Sequence, residues 1–307
     1  MSKNFLITGG SGFIGSEAVR YLVSKGHKVF NFDLKDSNEG QIDTFIGDIK
    51  NRSDLNKINQ KIDSVYILAA VHRDDISNHL EYYKTNFDGI NNVLDFCETQ
   101  NINNIVYYSS ASVYGDSFIN ASEQDKLSPK SHYGKSKLKA ENCLIRWANL
   151  DNRKLIIIRP SVVYGVGSKS NMNRLINYII DNKFFIIGKG DNVKSICYVE
   201  NLVDFTIYIV KKTDSKISIF NYSDFPFKTV RQICDKVSLI SKSKNVINVP
   251  YFFAYLGVSV IKFFCLISNK RTAINIDRIN KSMNETSLSC KKIQSFNFQP
   301  KHDLSES

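Results

Sequence analysis

Short apolar runs of strand type alternate with longer stretches of helical apolar spacing through the first half of the chain. The runs are Asn4–Thr8, Lys28–Phe32, Thr44–Ile46, Ser64–Leu68, Asn104–Tyr108 and Leu155–Ile158. The helical stretches lie near Ser16–Lys25, Ser53–Gln60, Tyr82–Gln100 and Tyr133–Leu150. Strands that alternate with helices build a parallel sheet covered on both faces. The expected fold class is therefore α/β, with ligands beyond the carboxyl ends of the strands. After Pro160 the pattern changes, and Gly165, Gly167, Gly188 and Gly190 punctuate shorter elements. Asp191–Lys212 reads as a strand and helix returning to the main sheet. The tail after Pro300 is polar and expected to fray.

The first run ends in glycines at 9, 12 and 15, and an apolar-periodic segment follows through Ile14, Ala18, Tyr21 and Leu22. Strand, tight turn and helix in that order aim backbone N–H groups and the positive end of a helix dipole at a phosphate. Gly9 permits the turn, Gly12 lets a pyrophosphate approach the backbone, and Gly15 lets the helix pack closely. The second run ends at Asp33, where a carboxylate can bond both hydroxyls of an adenosine ribose and repel a 2′-phosphate. NAD(H) is favoured; Lys35, two residues on, leaves NADP(H) open. Residues 1–165, with 191–212 returning, are thus expected to form a dinucleotide-binding domain. Residues 166–190 and 221–307 would build a smaller C-terminal substrate lobe.

The 307 residues are 42% apolar, enough for a large core, and the formal net charge is +11. The basic residues are scattered, which favours anionic ligands without a nucleic-acid motif. No nucleic-acid partner is expected. Six cysteines never form a C-x-x-C pair, and the five histidines lack ligand spacing, so no metal is expected. With no signal peptide evident, a reducing, cytoplasmic setting is expected. Val246–Ser268 is strongly apolar but interrupted by Pro250 and Lys262. It is short for a bilayer span. A buried or partner-facing helix is the favoured reading, and a peripheral membrane contact is the minority one.

Tyr133 and Lys137 stand four apart at the start of a helical segment, hence on one face. A free phenol titrates near 10, and a neighbouring ammonium and a nicotinamide cation both lower that value. Tyr133 can then exchange a proton with a sugar or alcohol oxygen. Upstream, Val106–Tyr108 is a strand ending in the hydroxyls of Ser109, Ser110 and Ser112. Ser110 is the choice to bond the reacting oxygen, with Ser109 and Ser112 as alternatives.

These motifs together resemble the extended short-chain dehydrogenases/reductases, specifically the nucleotide-sugar epimerase/dehydratase family. The matches are Thr8–Gly15, Asp33, Gly47-Asp48-Ile49, Leu68-Ala69-Ala70, Asn86, Ser109–Gly115, Tyr133–Lys137 and Arg159–Gly165. The resemblance implies a Rossmann-type doubly wound sheet. It implies that Phe13 and Ile14 join the glycines around the cofactor, that Asp48 and Ile49 border the adenine, and that Pro160 lies on the cofactor's side. Ala69 and Ala70 would line the phosphate–ribose path, and Asn86 would order the loops. Ser110, Tyr133 and Lys137 would be catalytic, with Lys137 also holding the nicotinamide ribose. Arg73, Ser110, Ser112, Tyr133 and Lys194 would touch a nucleotide-sugar substrate. A homodimer is expected, through the helices near Tyr82–Gln100 and Tyr133–Leu150.

Departures from the family pattern narrow the reaction. Ala111-Ser112 replace the acidic pair that dehydratases use, so dehydration is not expected. Val162 stands where many 4-epimerases carry asparagine, and the stretch looks more like 4-keto-6-deoxy-sugar reductases. Reduction at C4 of a dTDP- or UDP-linked 4-keto-6-deoxyhexose, for surface-polysaccharide synthesis, is the leading expectation. A UDP-hexose 4-epimerase is the runner-up. A dinucleotide-sensing binding protein on the same scaffold is disfavoured by the Tyr–Lys pair.

Overall fold

The computed structural model describes residues 2–37, 39, 42–72, 78–150, 152–168, 170–258, 280 and 283–304. Seven parallel strands form the main sheet: β1 (Asn4–Thr8), β2 (Lys28–Asp33), β3 (Asp43–Ile46), β4 (Ser64–Ile67), β5 (Asn104–Tyr108), β6 (Lys154–Pro160) and β7 (Ile217–Tyr222). Their spatial order is β3-β2-β1-β4-β5-β6-β7, with the reversal between β1 and β4 that opens a crevice at the carboxyl ends. This is the parallel α/β sheet that the alternation predicted, in the Rossmann-type order that the resemblance implied.

Successive residues of each strand enter opposite cores, as the two-residue period requires. Leu6, Phe30, Phe32, Val65, Ile67, Ile105 and Tyr107 face one side. There they meet α2 (Gly89–Thr99) and α3 (His132–Ala148) through Val93, Phe96, Leu144 and Trp147. Phe5, Ile7, Val29, Tyr66, Val106 and Tyr108 face the other side. They pack on α1 (Phe13–Ser24) and α4 (Val199–Lys212) through Ala18, Leu22, Val203 and Phe205. A third core gathers Tyr164, Met172, Ile186, Ile196, Ile233 and Val237 beneath the smaller elements.

Two expectations need correcting. Within Asp191–Lys212, the strand Ile196–Tyr198 does not enter the main sheet. It pairs with Val162–Tyr164 in a separate two-stranded sheet, while α4 and the side chain of Cys197 join the core on the main one. The seventh strand is instead Ile217–Tyr222, paired in register with β6. The helix expected over Ser53–Gln60 shrinks to Arg52–Leu55, after which the Lys57 and Ile58 N–H groups donate to the Asp54 and Leu55 carbonyls in tight i→i+3 turns. The helix expected near Tyr82–Gln100 is present from Leu80 to Thr99, with a π-helical turn at Lys84–Asp88 inside it.

The apolar stretch from Val246 also departs from its favoured reading. Ile247–Val249 pairs with Phe185–Ile187, and residues 251–258 are helical. Tyr251, Phe252, Phe253, Tyr255 and Leu256 are exposed, so this helix is not buried. The rest of the stretch lies outside the described residues. Among the described residues no helix is long and apolar enough to cross a membrane.

Candidate active site

At the end of β1 the chain turns at Gly9, whose φ is +79°. The Gly9 N–H donates to the Phe32 carbonyl at 2.8 Å and the Gly12 N–H to the Gly9 carbonyl at 3.0 Å. Gly12 is the N-cap of α1, and no side chain caps that end. A Cβ on Gly15 would stand 2.0 Å from the Gly9 oxygen, whereas one on Gly12 would meet only that oxygen, at 3.1 Å. Gly15 is therefore needed for packing, while the far side of Gly12 is open to a ligand. Phe13 and Ile14 begin the helix whose amides face this opening.

Asp33 ends β2 half-buried, and its Oδ2 accepts the Ser11 N–H at 3.0 Å. The Ser11 hydroxyl in turn donates to the Lys35 carbonyl at 2.9 Å and accepts from Asn31 Nδ2 at 2.8 Å. Asp33 thus shapes the glycine turn as well as ending the strand. Asp48 and Ile49 follow β3. Asp48 Oδ1 accepts the Lys50 N–H at 2.9 Å, and the buried Ile49 presents its carbonyl to Asn92 Nδ2 at 2.8 Å.

After β4, the Ala69 N–H donates to the Thr8 carbonyl at 2.8 Å, placing Ala69 and Ala70 beside the glycine turn. Asn86 then grips the next residue from both sides. Its Oδ1 accepts the Val71 N–H at 2.8 Å, and its Nδ2 donates to the Val71 carbonyl at 2.9 Å and to Ser136 Oγ at 3.0 Å. The wide turn at Lys84–Asp88 carries this buried amide. Such turns recur where a side chain must be re-aimed. Arg73 lies outside the described residues.

Ser110 and Ser109 point to different surroundings. Ser110 Oγ caps the short turn Ala111–Val113 by accepting the Ser112 N–H at 3.2 Å. Ser109 is buried and donates to Glu141 Oε1 at 2.5 Å. Ser109 is thereby committed to the interior. The Ser112 hydroxyl is buried without a hydrogen-bond partner.

Ser131 caps α3 by accepting the Gly134 N–H at 3.0 Å. Tyr133 lies in the first turn of that helix, half-buried, and Lys137 lies one turn on, almost fully buried. Lys137 Nζ donates to the Tyr108 carbonyl at 2.8 Å and sits 6.0 Å from the Tyr133 ring centroid. Burial pushes the Lys137 ammonium down to about 7, with Glu141 opposing the shift. The ammonium that the sequence argument placed beside the phenol is therefore one that gives up its proton near neutrality.

Beneath these residues runs a polar network that sequence reasoning did not find. Glu141 Oε1 accepts from Arg159 Nε at 3.0 Å and Oε2 from Arg159 Nη2 at 2.7 Å, with both side chains at or below 2% exposure. Arg159 Nη1 donates to the Tyr114 hydroxyl at 2.8 Å, which donates to Asn221 Oδ1 at 2.8 Å. The available signal was spacing: Glu141 follows Lys137 by four, hence on the same helix face. Pro160 follows Arg159, buried at the end of β6.

Lys194 is tied to Asn284, whose Nδ2 donates to the Asp116 carbonyl at 3.4 Å. Its Nζ donates to the Asn284 carbonyl, and burial lowers its pKa. Among the described residues no group of histidine, cysteine or carboxylate side chains is arranged to hold a metal ion.

A family model described as the NAD dependent epimerase/dehydratase family matches residues 5–222. The chain is 33% identical over 309 residues to an N-acetyl-alpha-D-glucosaminyl-diphospho-ditrans,octacis-undecaprenol 4-epimerase of Escherichia coli O157:H7, covering 100% of this chain and 93% of the relative. It is 31% identical over 249 residues to a UDP-glucose 4-epimerase of Lactobacillus helveticus, covering 70% and 75%. Among solved structures, a UDP-glucose 4-epimerase of Thermotoga maritima with UDP-glucose aligns at a TM-score of 0.78 and 21% identity, over 99% of this chain and 95% of that one. MoeE5 in complex with UDP-glucuronic acid and NAD aligns at 0.74 and 22% identity, over 99% and 95%. At these identities the two structures establish a shared fold.

Proposed function

The chain belongs to the NAD dependent epimerase/dehydratase family, and on that premise we propose that it is a 4-epimerase. Its substrate in this reading is a hexose or N-acetylhexosamine joined through a diphosphate to a nucleoside or a polyprenol. The observation that carries the reading is similarity along the whole chain to a 4-epimerase, at 33% identity. The residues present fit a dinucleotide: the uncapped N-terminus of α1, the open face of Gly12 and the carboxylate of Asp33 stand together at the carboxyl ends of β1 and β2. The chemistry NAD would supply there is a reversible hydride exchange with the sugar carbon.

The protein's own residues handle the proton. Tyr133 exchanges it with the C4 oxygen, and Ser110 hydrogen-bonds that same oxygen. Lys137, one helical turn from Tyr133, would hold the nicotinamide ribose. Asn86 keeps the Val71 loop fixed against α3. Glu141 and Arg159 brace Lys137 and the strand ends from below.

Reduction of a 4-keto-6-deoxyhexose is a second reading. It is favoured by Val162, exposed at the position where many 4-epimerases carry asparagine. One assay separates the two. Purified protein with NAD is given UDP-N-acetylglucosamine, UDP-glucose or polyprenyl-diphospho-N-acetylglucosamine, a parallel reaction holds NADH and a nucleotide-linked 4-keto-6-deoxyhexose, and products are resolved by NMR. Interconversion at C4 without net change in NADH is expected. Stoichiometric NADH loss on a 4-keto sugar, with no interconversion, overturns the epimerase reading and supports the reductase.

A further inference from the structure

We propose that the smaller lobe docks on an anionic lipid bilayer through the helix at residues 251–258. Phe252 and Phe253 are 69% and 61% exposed, and Tyr251, Tyr255 and Leu256 are exposed as well. These five positions span more than one stripe of the helix, so most of its circumference lies outside the core. Val258, by contrast, is buried. The strand before the helix continues the surface, with exposed Ile247 paired to exposed Phe185. A contiguous apolar patch of this kind marks a site of association.

Charge selects the occupant. From Lys236, which is paired with Asp303, to Val258 the chain carries Lys242 and Lys244 as further charges and no carboxylate side chain. Lys242 and Lys244 are exposed. The Lys244 N–H donates to Asn182 Oδ1 at 2.7 Å, which fixes that lysine at the end of the helix Asn171–Ile180. Lysine is depleted at protein–protein interfaces. Lysines within about ten residues of exposed Phe, Tyr and Leu along the chain suit an interface of acyl chains and anionic headgroups. The net charge of +11 adds a long-range attraction to the same surface.

The purpose of this docking rests on the polyprenol arm of the function proposed above: the sugar of a lipid-linked diphosphate is presented at a bilayer, and a docked lobe brings the crevice to it. The binding itself is tested without catalysis. Full-length protein is sedimented with vesicles of phosphatidylcholine alone and of phosphatidylcholine with phosphatidylglycerol. Co-sedimentation with the anionic vesicles is expected. The double variant Phe252→Ser/Phe253→Ser should lower that partition on the order of tenfold or more. Lys242→Glu/Lys244→Glu should also weaken it, with the aromatic face intact. Both pairs are exposed, and circular dichroism checks that the variants remain folded. Turnover of a soluble UDP-sugar should be unchanged in both.

Protein that stays in the supernatant, or aromatic variants that sediment like the parent, overturns the proposal. So does a fall in oligomer mass on Phe252→Ser/Phe253→Ser without vesicle binding, which assigns the surface to a second copy. Intact vesicle binding with no turnover of any sugar sinks the catalytic reading and leaves the docking standing.

Discussion

Glu141 holds Arg159 by two hydrogen bonds, Oε1 to Nε at 3.0 Å and Oε2 to Nη2 at 2.7 Å, where neither side chain reaches solvent. The pair joins α3, which carries Tyr133 and Lys137, to the end of β6. Removing one partner strands a buried charge. Glu141→Ala should destabilise the fold by about 3–5 kcal/mol. Denaturant unfolding checks this, with a lower midpoint and an unchanged slope expected. Glu141→Met with Arg159→Met should lose less than the sum of the single changes.

The two glycines at the start of α1 should separate folding from cofactor binding. A Cβ at position 15 would collide with the Gly9 carbonyl, while one at position 12 meets that oxygen only at 3.1 Å. Gly15→Ala should cost about 1–3 kcal/mol of stability and weaken NAD binding. Gly12→Ala should weaken NAD binding with little change in stability, because its added methyl points toward the ligand's approach. Calorimetric titration and thermal melts on the two variants make the comparison.

Tyr133→Phe removes one oxygen from a half-buried ring in the first turn of α3. Turnover should fall by about 10²–10⁴-fold, the usual contribution of a positioned proton-transfer group. NAD affinity and melting temperature should stay close to the parent's. Full turnover by this variant would remove Tyr133 from the mechanism.

Lys137 links the site to pH. Burial lowers its folded pKa to about 7, while an unfolded lysine titrates near 10.4. Between these values the unfolded chain holds more protons than the folded one. Stability from this group therefore rises as pH increases from about 7 to about 10, and is least below 7. Lys137→Met should flatten that rise. Unfolding free energies measured at several pH values for both proteins test the difference.

Asp33 should set cofactor preference. Its Oδ2 already accepts the Ser11 N–H at 3.0 Å, so Asp33→Ala loses a loop contact along with the ribose partner. NAD affinity should drop by about tenfold or more, the range for a hydrogen bond to a charged group. Discrimination against NADP should narrow, because the repulsion of a 2′-phosphate goes with the carboxylate. Parallel titrations with both dinucleotides measure this.

Some of this site was readable from local pattern. Asn4–Thr8 and Asn104–Tyr108 form strands with the bounds that their apolar runs indicate. The three serines after β5 were all candidates on sequence, and only their surroundings separate Ser109, committed to Glu141, from Ser110. Asn86 was placed among the loop-ordering residues by resemblance, but the π-helical turn in its helix carried no sequence signal. A π-turn arises when side-chain bonding outside the helix outweighs local propensity, here two bonds to Val71 and one to Ser136.

The amino-acid order alone determined the alternating sheet, the glycine turn and the Tyr133–Lys137 spacing, because periodicity and short-range spacing act through neighbours on one strand or helix. Only the tertiary structure decided the seventh strand at Ile217–Tyr222, the Glu141–Arg159 pair and the exposure of Phe252 and Phe253. Each depends on what lies across the fold from the residue. Glu141 and Arg159 are 18 apart in sequence on different elements, and an apolar side chain is buried or exposed according to what packs over it. A run such as Tyr251–Leu256 reads the same in either case.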